Sequence, residues 1–431
     1  MVNKVLIIAY YFPPVGGGGV QRTTKFVKYL PEFGWKPVVL TVKEEVYKRT
    51  NRSIDVSLLE DIPKEVYVSR TNSIDLGSIS STVKAKTKSS VAKLSFRSLL
   101  NEIEGLLINP DAQMFWIPVA VRKGLKLINE KKIDVIFSTA NPWSDHIVGL
   151  ILRRITGLPW IADYRDAWNL NPCTTHTSRI RKNIQFLLEK KVIKSANRII
   201  FTSDGTKDDY KRVFGNSKFV TIRNAFDPED LLLVKPKKFP KFTFLYAGNI
   251  PGYFKRPSSF IHVLSNLLKK YPHVRQEIMI NFLGKKDEKI KSIAEENNLL
   301  DIINFLGYKS HKESIAFQLG ADVLFLTLDV DIGETAIPGK IFEYLASGKP
   351  ILALIPPSGR AADILRKEGR GEYIVSPRDV ESIENRIMAL HTKYKNGCLP
   401  IYPVENLQAY TRKNATKKLS RLLVDLKQCT R

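Results

Sequence analysis

Cysteine is scarce in this 431-residue sequence, which contains only Cys173, Cys398 and Cys429. Three widely separated cysteines in no zinc-ligand spacing argue against a disulfide framework and against a cysteine metal centre. No apolar run approaches the roughly 20 residues that cross a bilayer. The apolar stretch 5–12 is short and runs into prolines and glycines, so we expect no signal peptide. These absences predict a cytoplasmic protein.

Acidic residues are also in short supply, with 43 Asp and Glu against 68 Lys and Arg and a net charge of +25. Such a charge favours polyanionic partners. No zinc finger, basic zipper or aromatic RNA-binding signature accompanies it. We therefore expect an anionic membrane surface and anionic substrates as partners, and no nucleic acid. The region 43–107 is polar and less regular, and its basic segment 84–97 is either a membrane contact or a solvated helix face.

Length and a repeated strand–helix pattern predict two domains. The segment 4–42 contains a strand, a glycine-rich loop, a helix and a second strand, which is a Rossmann-like βαβ unit. A Pro/Lys-rich stretch then precedes a second start of the same pattern at residue 242. We predict an α/β protein with Rossmann-like parallel-sheet domains at 1–233 and 234–403. Residues 404–431 should form a C-terminal helix that packs back on the N-terminal domain.

The loop after the first strand contains four glycines, Gly16 to Gly19. The dinucleotide fingerprint is incomplete because Arg22 stands where its third glycine would be, so a simple dehydrogenase is disfavoured. Glycines at the carboxyl end of a parallel strand let the backbone come close to a ligand. A flexible loop remains the alternative.

The stretch 333–357 has the pattern of a nucleotide-binding helix and strand. Pro338 suits the first turn of a helix, and Gly339 leaves room for a phosphate near the free N–H groups. Lys340 and Glu343 lie on one face of this helix, where a carboxylate can accept hydrogen bonds from both hydroxyls of a ribose. The alternative is a capped surface helix with a Lys–Glu pair.

Further candidates follow a predicted strand that ends at Asp163. Arg165 and Asp166 lie at its carboxyl end, where parallel α/β sheets bind ligands. An internal ion pair between Arg165 and these aspartates is the alternative to an acid/base role. His146, in the first turn of a predicted helix, is either catalytic or a surface histidine.

Taken in order, these segments resemble the retaining GT-B glycosyltransferases of family 4, the glycosyltransferase group 1 family. The resemblance is carried by YYFPPVGGGGVQR, STANPWSDHIVG, GLPWIADYRDAW, FLYAGNIPGYFKRP and IPGKIFEYLASGKPIL. It implies a GT-B architecture, with two Rossmann-like domains facing a central cleft. It also implies that the C-terminal domain mainly holds a nucleotide-sugar donor and that the N-terminal domain binds the acceptor.

The resemblance assigns Glu343 to the second glutamate of the family's E-x7-E motif, on the ribose. The first glutamate would fall at Thr335, and the usual Gly-Arg after the first strand of the second domain is Gly248-Asn249. This chain therefore departs from the family pattern twice. Tyr308 and Lys309 fall where the family contacts the base. The implied donor-binding residues are Gly17, Gly18, Gly19, Tyr308, Lys309, Thr335, Pro338, Gly339, Lys340 and Glu343.

For catalysis, the resemblance points to Lys255 and Arg256 as the cations that stabilise the leaving diphosphate. The family often places a histidine after the strand that matches PWIAD, but here the sequence is YRD. Asp166 is therefore the first candidate for orienting the acceptor hydroxyl, and His146 the second. The implied acceptor-binding residues are Asn141, Arg165 and Trp168. The resemblance also implies retention, no metal and no cofactor.

The sequence thus predicts a glycosyltransferase that moves a hexosyl or N-acetylhexosaminyl group from a UDP- or GDP-linked sugar. The expected acceptor is a glycan or a lipid-linked molecule in cell-surface polysaccharide biosynthesis, at the inner face of the membrane. One alternative is a nucleotide-sugar epimerase of the same fold. The other is a non-catalytic basic protein that binds membrane or nucleic acid.

Overall fold

The computed structural model describes residues 2–73, 109–171, 178–215, 218–249, 257–285, 287–329 and 334–428. No helix in these ranges is long and apolar enough to cross a membrane. The chain forms two compact units, one of Met1–Arg223 with Arg412–Arg431 and one of Asn224–Thr411. The predicted boundary at 233/234 falls inside the second unit, and the predicted segment 404–431 is divided between the units.

Seven parallel strands form the sheet of the first unit, in the order β3-β2-β1-β4-β5-β6-β7. Helices cover both faces of such a sheet, so central strands are apolar throughout. Strand β3 lies in the region expected to be irregular, where an edge strand gives only a weak apolar signal. The strands are β1 Asn3–Ile8, β2 Trp35–Val42, β3 Tyr67–Thr71, β4 Val135–Ala140, β5 Trp160–Tyr164, β6 Arg198–Phe201 and β7 Phe219–Thr221.

Six parallel strands form the sheet of the second unit, in the order β10-β9-β8-β11-β12-β13. The strands β8 and β11 are buried along their whole length. Their bounds are β8 Phe242–Ala247, β9 Ile278–Leu283, β10 Ile303–Gly307, β11 Val323–Thr327, β12 Ile351–Leu354 and β13 Ile374–Val375.

Helices connect the strands in both units. In the first unit they are α1 Gly18–Tyr29, α2 Glu44–Arg49, α3 Ile117–Lys131, α4 Ser144–Thr156, α5 Arg179–Ser195 and α6 Asp204–Phe214. In the second unit they are α7 Pro228–Leu232, α8 Pro257–Lys270, α9 Val274–Glu277, α10 Glu288–Glu296, α11 His311–Gly320, α12 Lys340–Ala346, α13 Arg360–Lys367 and α14 Val380–Lys395. The final helix, α15 Arg412–Gln428, belongs to the first unit.

The crossovers of the first unit run in two directions. The connection from β1 to β2 runs one way across the sheet, and the connections from β4 through β7 run the other way. Because such crossovers are right-handed, α1 lies on one face of the sheet and α4, α5 and α6 lie on the other. Helix α15 packs against α1, and α4 contacts α5.

Each sheet has a point where the strand order reverses. It lies between β1 and β4 in the first unit and between β8 and β11 in the second. Open parallel sheets bind ligands at the carboxyl ends of the strands at this point. The segments that leave these strands are therefore the place to look for a site in each unit.

Candidate functional site

At the reversal point of the second unit, Lys340 carries a buried ammonium group. Its Nζ lies 3.6 Å from the centre of the Tyr246 ring and has no hydrogen-bond partner among the described residues. Burial lowers the pKa of Lys340 from its usual value to about 7, and Glu343 opposes that shift. An unpaired buried cation is costly, and an anionic ligand would offset that cost.

Glu343 is half-buried on the same short helix, α12. Its Oε2 accepts a hydrogen bond of 3.2 Å from Nε2 of Gln318 on helix α11. The same nitrogen lies 3.2 Å from Oγ of Ser314, one turn earlier. Gln318 is 2% exposed, so it holds the carboxylate of Glu343 from the buried side.

Backbone surrounds Lys340 on the other side. Gly248 follows β8 with φ of +114°, and a Cβ built there would stand 3.2 Å from Nζ of Lys340. A Cβ on Gly284, which follows β9, would stand 2.6 Å from the carbonyl oxygen of Gly248. Larger residues would be strained at both positions. The two strand ends therefore pack backbone against backbone beside the lysine, and they leave Asn249 exposed.

At the reversal point of the first unit, Arg165 ties together the segments that leave β1, β4 and β5. Its Nε and Nη2 each donate a 2.6 Å hydrogen bond, to the carbonyl oxygens of Ala140 and Asn141. Its Nη1 donates to the carbonyl oxygen of Gly19. Beside it, Asp166 is exposed and accepts a 3.0 Å hydrogen bond from Nδ2 of Asn141. This geometry holds one solvent-facing carboxylate at the strand ends.

Asp163 pairs with Arg22, not with its neighbour Arg165. Nε and Nη2 of Arg22 lie 2.9 and 2.8 Å from the two carboxylate oxygens, and both side chains are buried. Thr139 donates a further 3.0 Å hydrogen bond to Asp163. This ion pair joins the beginning of α1 to the end of β5. The loop predicted at Gly16 to Gly19 is shorter than expected, because Gly18 and Gly19 form the start of α1. The sequence indicates an internal ion pair between Asp163 and Arg165 as one alternative. Asp163 does form a buried ion pair, but with Arg22 of α1.

Comparisons with known proteins bear on both units. The family model described as Glycosyltransferase Family 4 matches residues 92–230, and the one described as Glycosyl transferases group 1 matches residues 233–417. This chain belongs to the group 1 glycosyltransferases. The family inferred from the sequence is thus confirmed, and the two parallel-sheet α/β units match a GT-B architecture. Retention of configuration stays a prediction.

Solved structures with the fold of this glycosyltransferase cover nearly its whole length. They include sucrose-phosphate synthase from Thermosynechococcus elongatus (16% identity, TM-score 0.61, 99% of this chain and 98% of that chain). They also include HepE from Anabaena in complex with UDP and glucose (14% identity, TM-score 0.57, 99% and 98%). A UDP-GlcNAc 2-epimerase from Methanocaldococcus jannaschii shares the fold too (10% identity, TM-score 0.53, 98% and 99%). A sequence comparison with curated proteins finds no match.

The remaining predicted donor residues of this glycosyltransferase lie around α12, at the end of β10 and, in the first unit, at the start of α1. Thr335 and Gly339 are exposed and Pro338 is half-buried. Helix α12 begins at Lys340, so Pro338 lies in the turn before it and not in its first turn. The roles of the half-buried Tyr308 and Lys309 stay predictions, as do those of the exposed Gly17, Gly18 and Gly19. Lys255 and Arg256 lie outside the described residues.

The structure does not place two other predicted site residues where they could touch a ligand. His146 is 0% exposed, its Nδ1 lies 2.8 Å from Oγ of Ser138, and burial lowers its pKa to about 3. Trp168 is 2% exposed, stacks on Trp143 at 4.8 Å between ring centres and donates its Nε1–H to Gln185. We correct both assignments, because these side chains pack in the core of the first unit.

Sequence reasoning missed Gln318 and the part that Arg22 plays. The Ser314–Gln318 spacing of four residues is a helix-face signal, but it does not say that Glu343 lies opposite. Arg22 was noted only as a departure from the glycine fingerprint. Its partner, Asp163, is distant in the sequence, and no local sequence pattern indicates that the two side chains meet.

Proposed function

We propose that this glycosyltransferase moves a hexosyl or N-acetylhexosaminyl group from a nucleotide-diphosphate sugar to a glycan or lipid-linked acceptor. The transfer proceeds with retention and without a metal, at an anionic membrane surface, in cell-surface polysaccharide biosynthesis. One observation carries the donor assignment. Lys340 and Glu343 lie on one helix at a strand-order reversal. Lys340 has a buried ammonium with no hydrogen-bond partner in the part of the chain that the structure describes, and Glu343 has a carboxylate held by Gln318.

In this proposal Lys340 binds the diphosphate. Its ammonium already lies in a buried position, so a phosphate oxygen supplies the anionic partner that no described residue provides. When the sugar–phosphate bond breaks, the leaving diphosphate gains negative charge, and a cation fixed nearby stabilises that change. This role makes Lys340 a substitute for the arginine that the family pattern places at Asn249.

Glu343 binds the ribose. One carboxylate oxygen accepts from Gln318, and a carboxylate retains further acceptor capacity for two vicinal hydroxyls. UDP and GDP are the nucleotides that we expect. That HepE was solved in complexes with UDP and with UDP-glucose supports UDP as the first nucleotide to test.

Asp166 orients the acceptor hydroxyl. It is exposed and held by Asn141 at a ligand-binding edge of the first sheet. Arg165 positions both residues through its contacts with the backbone. A hydroxyl bound to a carboxylate is aligned for attack and has an acceptor for its proton.

The deciding experiment is a thermal-shift series with UDP, GDP, dTDP, CMP and ADP. A ligand that binds only the folded state raises the melting temperature. We expect a selective rise with UDP or GDP that Glu343→Ala abolishes. The control variant is Glu295→Ala, an exposed glutamate of the same unit, which should keep the full shift. No shift with any nucleotide would count against the donor site and would favour a non-catalytic basic protein.

Once the nucleotide is known, the stereochemistry of transfer and the need for a metal can each be measured separately. NMR of the product reports whether the anomeric configuration is retained, and turnover in EDTA reports whether a metal is needed. Conversion of the nucleotide sugar to an epimeric nucleotide sugar, in the absence of any acceptor, would instead identify an epimerase.

A further inference from the structure

Helix α5, Arg179–Ser195, exposes two large aliphatic side chains. Ile180 is 60% exposed and Leu187 is 57% exposed. They are seven residues apart, so they lie on the same side of the helix, two turns from each other. The inner side carries Val192 and Ile193, both buried. The helix thus buries aliphatic groups on its inner side and also carries aliphatic groups on its outer side.

Basic residues surround these aliphatic groups. Arg179, Lys190, Lys191 and Lys194 are exposed, and none forms an ion pair with a described residue. Positions 183, 187, 190, 191 and 194 fall on one side of a helix with 3.6 residues per turn. We call Arg179, Ile180, Leu187, Lys190, Lys191 and Lys194 the α5 surface.

The α5 surface contains no carboxylate. The only acidic residue of the helix is Glu189, which is 0% exposed. Its carboxylate accepts hydrogen bonds from the Tyr210 hydroxyl and from Nδ2 of Asn169, at 2.5 and 2.8 Å. The helix therefore directs its one acid inward and its cations outward, so the outward charge is not compensated within the helix.

The neighbouring helices α4 and α6 also expose aliphatic side chains. Ile155, at the end of α4, is 59% exposed next to the exposed Arg154. Val213 of α6 is 50% exposed, and α6 is fixed beside α5 by the stacking of Phe186 on Phe214, at 5.5 Å between ring centres. Exposed aliphatic groups thus occur on three adjacent helices of one sheet face, and on α4 and α5 they lie beside basic residues. Helix α6 is electrically balanced, because Lys207 pairs with Asp204 and Arg212 pairs with Asp209.

The combination of exposed cations and exposed aliphatic side chains fits some polyanionic partners better than others. Phosphates of nucleic acid would attract the lysines, but bases stack on aromatic side chains, and the α5 surface offers isoleucine and leucine. A bilayer interface binds both groups, because anionic headgroups attract Lys and Arg while aliphatic side chains insert at the acyl boundary. The mixture of charge and aliphatic exposure therefore fits lipid.

We infer that the α5 surface docks this glycosyltransferase on an anionic lipid bilayer. The inference extends the proposed membrane association by assigning it to a surface, and it does not depend on the donor site. The basic segment 84–97, which the sequence offered as a membrane contact, lies outside the described residues.

The test is flotation of the full-length protein with vesicles of phosphatidylcholine, with and without phosphatidylglycerol. The test variant is K190E/K191E/K194E. Its matched control is K417E/K418E/R421E, which makes the same charge change at exposed positions of α15, on the other face of the sheet. Each basic residue near an anionic surface adds a similar increment to binding, so we expect the test variant to bind about 100-fold more weakly. The control should retain most of its affinity.

A second variant, I180Q/L187Q, changes no charge. We expect it to bind anionic vesicles about tenfold more weakly and to lose the binding that persists in high salt, because insertion of aliphatic groups is not screened. The nucleotide thermal shift and the melting temperature of each variant are measured in parallel. A retained shift shows that the variant is folded and that its donor site is intact, so the two proposals can fail separately.

Three results would overturn the inference. One is a parent protein that does not float with anionic vesicles. Another is equal loss of binding in the α5 and α15 charge variants, which would indicate attraction by net charge alone. The third is a parent protein that binds single-stranded RNA tightly at a salt concentration where it leaves the vesicles.

Discussion

The ammonium of Lys340 lies 3.6 Å from the centre of the Tyr246 ring. The electron-rich face of an aromatic ring attracts a cation, but it offers no hydrogen-bond acceptor. Lys340 is thus held in place without a hydrogen-bond partner among the described residues. A lysine fixed in this way can receive an anionic ligand without first breaking a salt bridge.

This arrangement predicts that nucleotide affinity depends on pH. The pKa of Lys340 is lowered to about 7, so the fraction of neutral lysine rises above that pH. A bound phosphate favours the protonated form, so binding is accompanied by proton uptake. Affinity should fall by up to about tenfold per pH unit above 7. Isothermal titration calorimetry at about pH 6.5 and about pH 8.5 measures the change, in buffers of different ionisation enthalpy to count protons.

The control for this dependence is Lys340→Arg, because the guanidinium stays charged over the whole range. The nucleotide affinity of this variant should therefore change little between about pH 6.5 and about pH 8.5, because residue 340 no longer titrates in that range. Equal pH dependence in the parent and in the arginine variant would assign the effect to another group.

Gln318→Ala should weaken nucleotide binding through Glu343. The glutamine donates to Oε2 of Glu343 from a buried position, so its removal frees the carboxylate to move. A hydrogen bond to a charged group contributes about 1.5–3 kcal/mol, which corresponds to a loss of about tenfold or more. In a Glu343→Ala background the same change should have little further effect. Additive losses in this double-mutant cycle would show that Gln318 acts independently of Glu343.

Asp166→Asn should lower turnover and leave donor binding unchanged. The variant keeps the shape of the side chain and removes the charge that would align the acceptor hydroxyl. General-base groups contribute about 100-fold or more to rate, so we expect a loss of that order in kcat. The nucleotide thermal shift should stay at the parent value. Asp209→Asn, at an ion pair on the surface of the same unit, is the control that should keep full turnover. Normal turnover in Asp166→Asn would remove Asp166 from the mechanism.

Asp163→Ala should destabilise the first unit. It leaves the buried guanidinium of Arg22 without its carboxylate partner, and breaking a buried pair typically costs about 3–5 kcal/mol. Hydrogen exchange of β5 and α1 measures this locally, and the melting temperature measures it globally. Asp301→Ala breaks the exposed pair with Arg275 and should cost about 1 kcal/mol or less. Equal effects of the two substitutions would contradict a structural role for the buried pair.

The helix that carries Lys340 and Glu343 could be predicted from the sequence because its signals are local. Lys340 and Glu343 are three residues apart on a helix that a glycine ends and an apolar strand follows. Local signals of the same kind predicted β1 and β8, but Gly18 and Gly19, expected in a loop, form the start of α1. Strand β3 escaped prediction because edge strands alternate between buried and exposed residues over only a few positions.

The errors concern residues whose role depends on burial. A histidine or tryptophan near the start of a helix or after a strand has the same local pattern whether it faces a ligand or the core. His146 faces the core because it stacks on Tyr164, and Trp168 faces the core because it contacts Trp143 and Gln185. The packing of β5, α4 and α5 brings these partners near.

The sequence by itself determined the periodicity of strands and helices, the repeated βαβ plan, the excess of positive charge and the family. Each of these depends on neighbours along the chain or on sums over it. Only the tertiary structure decided that Arg22 pairs with Asp163, that Gln318 holds Glu343 and that α5 turns its cations outward. Those outcomes depend on which polar groups are buried next to each other. Contacts between segments far apart in the chain determine these pairings.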